Sequence, residues 1–590
     1  MRNVLLLILF STIVFLTMNS CGEDFLYKEP QGVVSTESLN TLEGVNLLLI
    51  GTYSLLDGGG AIAGWPGGHA YASSIRNWVW DTASDDAYKG TASGDFETAG
   101  EVERYIAQPT NELIAQKWYT MYDGVSRSND ALRALAIASN NISATDIQLL
   151  EGQARFLRGF FHFRVQRMHF QVPYISEDIV SPELVANDRP IWDDIEADLQ
   201  FAIDNLPDAF AGEPGRATKW AAMAVKAYVH LHQQEYAAAK PLLDNIINSG
   251  RYDLVDNYTD NYKASTENNI ESLWEIQTAV NDGTNRGYNG NPDSWVTNPL
   301  NPTLPTCCAM YQPSQDLVNA FRTDANGLPL LGIGGPKYNY NNMANDMSIP
   351  SDLPFIPETG NLDPRLDHTV GRRGIPYLDW GVHYGASYIR SQANGGPYYT
   401  KKQMFSKAER SFSSHKSFAR ATSINNRTYR FSHILLWRAE VAVEEGDLTT
   451  AVQLVNRVRR RASNQLVMGK VNNTTFESGY VLDIDDTQPA ANYLIGEYTS
   501  FPDQTYAREA VRMELRLETA LEGNRFFDLR RWGILDQVIP AYIKNEQMFR
   551  SVMTGANFDL DRNDHWPIPQ TQVDIQRGVL IQDPAYGGGS

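Results

Sequence analysis

A helix–turn–helix pattern that occurs twice, far apart in the chain, constrains the fold most strongly. Residues 219–250 and 430–463 each carry apolar positions at helical spacing, a short polar turn and a second helix. The copies align at one constant offset, and the matching positions are Ala227, Glu235, Tyr236 and Ala239 in the first and Ala439, Asp447, Leu448 and Ala451 in the second. Small residues on facing turns let two helices approach closely, which is the tetratricopeptide-like design. The pattern therefore predicts an all-α frame of packed helix pairs.

Two less regular pairs are predicted in the N-terminal half. One combines helices near residues 40–55 and 114–137, and the other combines helices near residues 146–168 and 190–206. These segments space their apolar residues at three and four, as amphipathic helices do. We expect the tetratricopeptide-like helical-repeat frame to cover about residues 38–255 and 429–535.

A loop-rich region interrupts this frame between about residues 256 and 428. Gly, Pro and Asn accumulate there, and helical periodicity is lost. A segment of this length without regular elements is either disordered or functional, and its many aromatic residues favour order. Residues 58–90 resemble this region in composition, and we call them the first aromatic loop. We predict that these large irregular insertions carry a binding site, and that residues 536–590 close a single domain, 38–590.

The N-terminus has the features of an export signal. A positive start precedes an apolar run over residues 4–16, which is short for a bilayer span and ends in small and polar residues before Cys21. We predict a lipoprotein signal peptide over residues 1–20, acylation of Cys21 and a tether over residues 21–37. The alternative is an ordinary signal peptide followed by an incidental cysteine. The acidic pair just after Cys21 resembles the export signal of surface lipoproteins.

The composition argues against several classes of function. A formal net charge of −20 disfavours a nucleic-acid partner, because phosphate backbones demand dense Lys and Arg. Three cysteines cannot build a disulfide framework or a zinc motif, although Cys307 and Cys308 could form a vicinal disulfide on an oxidising surface. No nucleophile elbow or metalloprotease motif occurs, and acidic pairs are too numerous for spacing to identify a glycosidase dyad. We expect no catalytic residues.

An arginine- and aromatic-rich stretch, residues 520–533, is interpreted as structural. It carries three arginines, and the helix before it stacks three glutamates four residues apart: Arg525, Arg530, Arg531, Glu514, Glu518 and Glu522. Stacked carboxylates repel each other unless cations lie close by, and guanidinium groups pair with them in a bidentate manner. We therefore predict that these arginines pair with these glutamates and that the aromatic rings pack against the repeats.

Several segments together resemble the RagB/SusD family. In chain order the matching stretches are EGQARFLRGFFHFRVQRMHFQVPYI, GRATKWAAMAVKAYVHLHQQEYAAAKPLLDNIINSGRYDL, WRAEVAVEEGDLTTAVQLVNRVRRRA, RMELRLETALEGNRFFDLRRWG and HWPIPQTQVDIQRGVLIQDPAY. The last stretch departs from the family pattern, because residues 583–586 read Asp-Pro-Ala-Tyr where Asn-Pro-Gly-Tyr is common. The resemblance spans almost the whole mature chain.

This resemblance implies a SusD-like, cell-surface binding protein rather than an enzyme. Members of the family are lipid-anchored in the outer membrane, where they capture poly- or oligosaccharide and deliver it to a SusC-like TonB-dependent transporter. Their fold is all-α and tetratricopeptide-like, and their loops bind the ligand. Two alternatives stay open, namely a peptide-capturing protein or a protein-only helical-repeat adaptor of the same kind of transporter. An all-α glycosidase is a third.

Aromatic rings and polar side chains in the loops are the candidate glycan contacts. Sugars present flat C–H faces that Trp and Tyr can cover, while neighbouring polar side chains bind the hydroxyl groups. The candidates are Trp65, Arg76, Asn77, Trp78, Asp85, Asp86 and Tyr88 in the first loop and Tyr288, Asn289, Asn291, Trp295, Tyr338 and Trp380 in the central region. In a helical frame most aromatic residues belong to the core, so each ring has that alternative role.

Two further features bear on ligands. Asp85 and Asp86 could bind sugar hydroxyls, hold a structural calcium ion, which is the one cofactor considered, or cap a turn. The net negative charge mildly disfavours polyanionic ligands such as sulfated or uronic glycans, although a local basic patch could override it. This patch consists of Arg372, Arg373, Lys401 and Lys402.

Overall fold

The computed structural model describes residues 39–58, 73, 74, 76–283, 290, 291, 294–298, 308–402, 404–414, 420–472 and 483–587, with the backbone alone at 295 and 296. Helices dominate this part of the chain, and its strands are few and short. No helix among these described residues has the length and apolar character of a bilayer span.

Eighteen α helices occur in the described part of the chain. They are α1 Leu42–Tyr53, α2 Trp78–Asp81, α3 Glu97–Glu103, α4 Glu112–Ala138, α5 Ala144–Gln166, α6 Trp192–Asn205, α7 Lys219–His232, α8 Tyr236–Asn248, α9 Gln315–Ala320, α10 Arg365–Thr369, α11 Gln392–Gly395, α12 Phe431–Glu444, α13 Leu448–Ser463, α14 Gln504–Thr519, α15 Arg525–Arg531, α16 Leu535–Glu546, α17 Leu560–Asn563 and α18 Gln570–Ile575. Thr41, Ser143 and Thr218 cap α1, α5 and α7, because each side chain accepts a hydrogen bond from a first-turn backbone N–H.

Eight strands of the described residues form four two-stranded antiparallel sheets. The pairs are β1 Ala87–Gly90 with β3 Met310–Pro313, β2 Ser272–Ile276 with β6 Asn426–Arg430, β4 Val370–Gly371 with β5 Tyr399–Thr400, and β7 Met468–Val471 with β8 Ile484–Pro489. The first sheet joins the first aromatic loop to the central region, and β6 runs directly into α12. Short sheets therefore connect the irregular insertions to the helical frame.

The four predicted helix pairs are confirmed. α1 packs against α4, α5 against α6, α7 against α8 and α12 against α13. At the two regular crossings, Ala227, Ala239, Ala439 and Ala451 are completely buried. Successive pairs also pack on each other, through α4 on α5, α6 on α7 and α8 on α12, and α14 packs on the last pair. The all-α, tetratricopeptide-like prediction is correct.

The two regular pairs also share the backbone geometry of their turn. Gln234 and Gly446 occupy the same repeat position and have positive φ angles of 60° and 81°. Glycine adopts this region readily, whereas a side chain costs roughly 1–2 kcal/mol there. The Gln234 amide group donates a hydrogen bond to the carbonyl oxygen of Arg531 (2.8 Å), which helps to offset this cost.

Residues 520–533 are part of the frame, as predicted, but their charges pair with other partners. The glutamates bind cations from distant segments. Glu514 contacts Arg365 and Arg459. Glu518 contacts Arg365, Arg430 and Arg461, and Glu522 contacts Arg430 and Lys402. The arginines of the stretch have other partners. Arg525 contacts Asp85, Arg531 contacts Glu440, and Arg530 donates to the carbonyl oxygen of Arg167. The predicted pairing is wrong because the chain turns at Leu521 and Gly523, both with positive φ, so α15 leaves the line of α14.

Candidate functional site

Residues 76–90 of the first aromatic loop are folded into the interior. Trp78 in α2 and Tyr88 in β1 are both completely buried. The ring of Trp78 lies 6.2 Å from that of Tyr311, and the Tyr88 hydroxyl donates to a carboxylate oxygen of Glu546 (3.0 Å). This corrects the expectation that Trp78 and Tyr88 face a ligand. The physical reason is that β1 pairs with β3, which places this stretch between the frame and the central region.

Asp85, Asp86 and Tyr338 meet in the interior around one guanidinium group. Arg516 contacts Asp86 at 2.7 Å and Asp85 at 3.0 Å, and it donates to the Tyr338 hydroxyl at 2.9 Å. Arg525 contacts Asp85 at 2.8 Å. Burial raises the pKa of the Asp85 carboxyl, but Arg516 and Arg525 outweigh it and hold that pKa well below its ordinary value.

These contacts correct the expected role of the three side chains. All three are buried, so they do not line an open ligand site. Both carboxylates form ion pairs with arginine. This role differs from the capping and sugar-binding roles that the sequence suggested. A calcium ion at Asp85 and Asp86 stays a prediction, and it would have to replace two guanidinium partners.

The central candidates are spread over several places. Asn291 is buried and donates to the carbonyl oxygen of Thr422, so it holds the backbone rather than facing solvent. Trp380 is half-buried, and its indole N–H donates to the carbonyl oxygen of Phe405 (3.0 Å). For Trp295 the backbone alone is described, within the short 3₁₀ helix Ser294–Thr297.

Other sequence-based predictions lie outside the described residues. They concern Cys21, Trp65, Tyr288 and Asn289. Cys308 is disulfide-bonded and its partner also lies outside that part of the chain, so the vicinal pairing with Cys307 stays a prediction.

Described residues that flank segments 284–289, 299–307 and 415–419 lie close to each other. The backbone N–H of Ala309 donates to the carbonyl oxygen of Asn298 (3.1 Å), and the Asn298 amide group donates to the carbonyl oxygen of Arg420. Ser413 lies seven residues before Arg420, and its carbonyl oxygen accepts a hydrogen bond from the Asn281 amide group (3.2 Å). The residues next to segments 284–289, 299–307 and 415–419 are therefore neighbours.

The first loop reaches the same place through Arg76 and Asn77. The Arg76 guanidinium donates to the carbonyl oxygen of Ile424 (2.8 Å), two residues from Thr422. The Asn77 amide group donates to the carbonyl oxygen of Gly523 (3.3 Å) and its oxygen accepts from the Lys117 ammonium (3.1 Å). A Cβ atom at Gly523 would lie 2.1 Å from the Arg76 carbonyl oxygen, so this contact requires glycine.

A narrow polar cleft of about 60 Å³ opens at this meeting point, and we call it the loop-end cleft. It is lined by Arg76, Arg164, Asn261, Tyr262, Lys402, Ile424, Asn425, Asn426, Arg427, Thr428, Tyr429, Leu521, Glu522 and Asn524. Of the predicted site residues, Arg76 lines it and Asn77 lies beside it. Both are largely buried, with Arg76 8% and Asn77 2% exposed.

The predicted basic patch does not exist as a surface feature. Arg372 is buried and binds Asp367 through two contacts of 2.6 and 2.7 Å. Arg373 and Lys401 are buried too, and Lys401 donates to the carbonyl oxygen of Pro376 (2.7 Å). Lys402 lines the loop-end cleft. The cationic environment at the site therefore comes from residues that are distant in sequence.

A second, wider depression of about 750 Å³ lies on the helical frame, and we call it the frame groove. Trp118, Tyr119 and Tyr122 of α4 line one side, and Val180 and Gln572 line the other. Val180 is 94% exposed and Tyr119 is 39% exposed. This groove was not predicted from the sequence. The signal was the run KWYTMY, whose aromatic residues fall on more than one face of the helix, so they cannot all be in the core.

One described group has the residue types of a metal site. Nδ1 of His230 lies 2.7 Å from a carboxylate oxygen of Glu235 and 3.6 Å from one of Glu196. The three side chains come from α6, the end of α7 and the residue before α8. A hydrogen bond between imidazole and carboxylate accounts for the grouping.

Comparisons with known proteins agree with the fold. The sequence model described as the SusD family matches residues 270–586, and a second, described as starch-binding associating with outer membrane, matches residues 71–231. The first match covers more than half of the chain, so the chain belongs to the SusD family. This confirms the family resemblance seen in the sequence.

Individual relatives are distant but match over most of their length. SusD-like protein P25 of Formosa agariphila is 23% identical over 589 residues, covering 96% of each chain. Surface glycan-binding protein A from Bacteroides fluxus has a TM-score of 0.65 at 19% identity, over 92% of this chain and 99% of that one. The Bacteroides thetaiotaomicron protein of that name, in complex with laminarihexaose, has a TM-score of 0.60 at 19% identity, over the same shares. At these identities the structures establish the shared fold.

Proposed function

We propose that this SusD family protein binds a poly- or oligosaccharide at the cell surface and passes it to a SusC-like TonB-dependent transporter. Structural neighbours are named surface glycan-binding proteins, and one is in complex with laminarihexaose. One matching family description is of starch-binding proteins that associate with the outer membrane. Family membership and these names support glycan binding and association with the outer membrane. Attachment through Cys21 and the absence of catalysis stay predictions from the sequence.

The observation that carries the proposed site is the convergence of the loop ends. Residues that flank segments 284–289, 299–307 and 415–419 hydrogen-bond to each other. Arg76 in the cleft lining donates to the carbonyl oxygen of Ile424, four residues after Arg420. Loops held on a rigid scaffold are the usual place for binding residues. We therefore place the glycan at this end of the loops, and Trp65, Tyr288, Asn289 and Trp295 stay predicted contacts.

Affinity electrophoresis against a polysaccharide panel tests the proposal. The mature protein is compared with Trp65→Ala and Trp295→Ala, and Tyr119→Ala in the frame groove is the matched aromatic control. Removing one aromatic platform is expected to weaken binding by about tenfold or more, and the control is expected to migrate like wild type. If Tyr119→Ala alone lost retardation, the glycan would lie in the frame groove and the proposed location would be wrong.

The same samples separate the alternatives. Release of reducing sugar, abolished by a single carboxylate substitution, would indicate a glycosidase. Copurification with the transporter without binding to any glycan would favour the protein-only adaptor, and retention of peptides by that complex would favour peptide capture.

We further propose that the surface around the frame groove contacts the transporter. Five large exposed apolar side chains lie on two neighbouring segments, and they are Phe170, Val180, Leu184, Ile575 and Ile581. Asn187 connects the segments, because its amide group donates to the carbonyl oxygen of Ile581 (2.9 Å). Exposed apolar patches of this kind mark interaction surfaces. In the proposed function the transporter is the protein partner that would cover it.

Copurification from membranes tests this contact. The double variant Val180→Asp with Ile575→Asp is expected to lose the transporter and retain glycan binding. Ile333→Asp is the matched control, because Ile333 is an exposed apolar residue outside these segments. Equal recovery of the transporter with wild type and the double variant would contradict this assignment.

A further inference from the structure

We propose that the loop-end cleft receives a negatively charged substituent of the bound glycan, a carboxylate or a sulfate group. The inference rests on the proposed function, because it names the class of glycan. Its starting point is the charge of the walls. Four lining side chains are cationic, namely Arg76, Arg164, Lys402 and Arg427, and one, Glu522, is a carboxylate. This is the reverse of the chain as a whole, whose formal net charge is −20.

The one lining carboxylate already has close partners. Glu522 lies 2.8 Å from the Lys402 ammonium and 2.9 Å from the Arg430 guanidinium, and it accepts a hydrogen bond from the Tyr262 hydroxyl at 2.8 Å. Burial raises the pKa of the Glu522 carboxyl, but Arg430 and Lys402 outweigh it and hold that pKa well below its ordinary value. The carboxylate is therefore charged, and its charge is divided between two cations, one of them outside the lining.

Positive charge continues beneath the cleft. Arg164 belongs to α5, and Arg167 follows it by one helical turn. Both are 2% exposed, and Nη1 and Nη2 of Arg167 find no hydrogen-bond acceptor among the described residues. The Arg167 guanidinium lies 4.0 Å from the ring centre of Phe527 and 5.5 Å from that of Phe163. Two adjacent buried guanidinium groups raise the electrostatic potential near the cleft, which favours an anion there.

Arg427 in the cleft lining forms an ion pair, which reduces the net positive charge of the lining but does not cancel it. Arg427 contacts Glu275 at 2.9 Å and also donates to the carbonyl oxygens of Lys263 (3.2 Å) and Thr266 (3.0 Å). The remaining lining cations, Arg76 and Arg164, come from the first loop and from α5. An anion between them would be held from two sides by charge-assisted hydrogen bonds.

The size of the cleft indicates what enters it. A volume of about 60 Å³ holds about four to six water molecules at ~10–15 Å³ each. A carboxylate or sulfate group is of this size, whereas a whole sugar ring with its hydroxyl groups is larger. The ring would stay at the mouth, and the acidic substituent would point inward to the arginines.

Matched polysaccharides test the inference. Polygalacturonate is compared with its methyl ester, and a sulfated galactan with the same galactan after desulfation, by affinity electrophoresis of the mature protein. We expect binding to at least one charged polymer and binding at least about tenfold weaker to its neutral form, the effect of losing one charge-assisted hydrogen bond. The two pairs distinguish a carboxylate from a sulfate.

Small anions test the cleft without a polymer. The shift in Tm caused by sulfate or glucuronate is measured against chloride at equal ionic strength. The variants are Arg76→Gln and Arg164→Gln, and Arg189→Gln is the control because Arg189 belongs to an exposed ion pair away from the lining. We expect an anion-specific rise in wild type and in the control, and its loss in both cleft variants.

The outcomes separate this inference from the proposed function. Sulfate and glucuronate that act like chloride on wild type would overturn the inference even if both cleft variants failed to fold. Charged polysaccharides that bind no more tightly than their neutral forms would overturn it too. In the latter case the proposed function stands. If no polysaccharide binds while the anion-specific rise persists, the proposed function fails and the anion preference of the cleft stands.

Discussion

Neutralising Glu518 should destabilise the frame strongly and in a pH-dependent manner. Glu518 on α14 is completely buried and contacts three guanidinium groups, those of Arg365 (3.0 Å), Arg430 and Arg461. Arg365 and Arg430 come from the central region and from β6, so one carboxylate joins three parts of the chain. In Glu518→Gln the shape is kept, but an amide N–H₂ group faces guanidinium donors.

The magnitude follows from burial. Removing one partner of a buried ion pair costs about 3–5 kcal/mol, because the remaining charges stay desolvated. Other carboxylates, such as Glu271 beside Arg430 and Arg461, keep the loss from being larger. An unfolding entropy of about 2.1 cal/mol/K per residue in a chain of 590 residues makes this a fall in Tm of roughly 2–4 °C.

The sign of the pH effect comes from the same contacts. Burial raises the pKa of the Glu518 carboxyl, but Arg461, Arg430 and Arg365 outweigh it and hold that pKa well below its ordinary value. A depressed folded-state pKa contributes stability above the unfolded pKa of about 4.3, and this is lost as the pH falls below it. The difference between wild type and Glu518→Gln should be constant near neutral pH and shrink in acid.

Urea unfolding followed by circular dichroism at several pH values measures this. The matched control is Asp123→Asn, which removes an exposed i,i+4 pair with Arg127 (2.9 Å) and should cost about 0.3–0.5 kcal/mol. Equal losses for the two variants at neutral pH, or a gap that widens in acid, would refute the reasoning.

Three further predictions follow from the site and the anchor. Glu522→Gln should lower Tm, because Lys402 loses its carboxylate partner and Arg430 loses one of three. The same variant should strengthen binding of acidic glycans, which calorimetric titration checks; weaker binding would contradict the anion assignment. Gly523→Ala should destabilise the fold by roughly 1–3 kcal/mol, because φ is +79° and the new Cβ atom would lie 2.1 Å from the Arg76 carbonyl oxygen; denaturant unfolding measures this, and wild-type stability would contradict the contact. Cys21→Ser should release the protein from membranes, and fractionation with an acyl label tests this; unchanged membrane attachment would rule out the lipid anchor.

The helical frame was predictable because its causes are local. Helical hydrogen bonds join residues four apart, so apolar spacing along the chain is enough to locate an amphipathic helix. The close contacts between the two helices of each regular pair were predictable as well, because alanines recur at equivalent positions and all of them are buried. Even the turn recurs at one repeat position, with Gln234 in one copy and Gly446 in the other.

The site was only partly predictable because burial depends on distant contacts. Trp78 and Tyr88 have the composition of a sugar-binding loop, yet the pairing of β1 with β3 encloses them. Arg76 was predicted from the same loop and does line the loop-end cleft, but its neighbours there come from α5, β6 and the turn after α14. The sequence of residues 58–90 alone does not indicate that Arg76 lines the cleft while Trp78 is enclosed in the core.

The sequence by itself determined the all-α class, the four helix pairs and the family. It also showed that residues 520–533 belong to the frame, since stacked glutamates require nearby cations. Only the tertiary structure decided which cations these are, which aromatic rings are core and where the loop ends meet. The physical reason is that periodicity reports interactions within one helix, whereas an ion pair such as Arg365 with Glu518 is set by how the whole chain brings distant segments together.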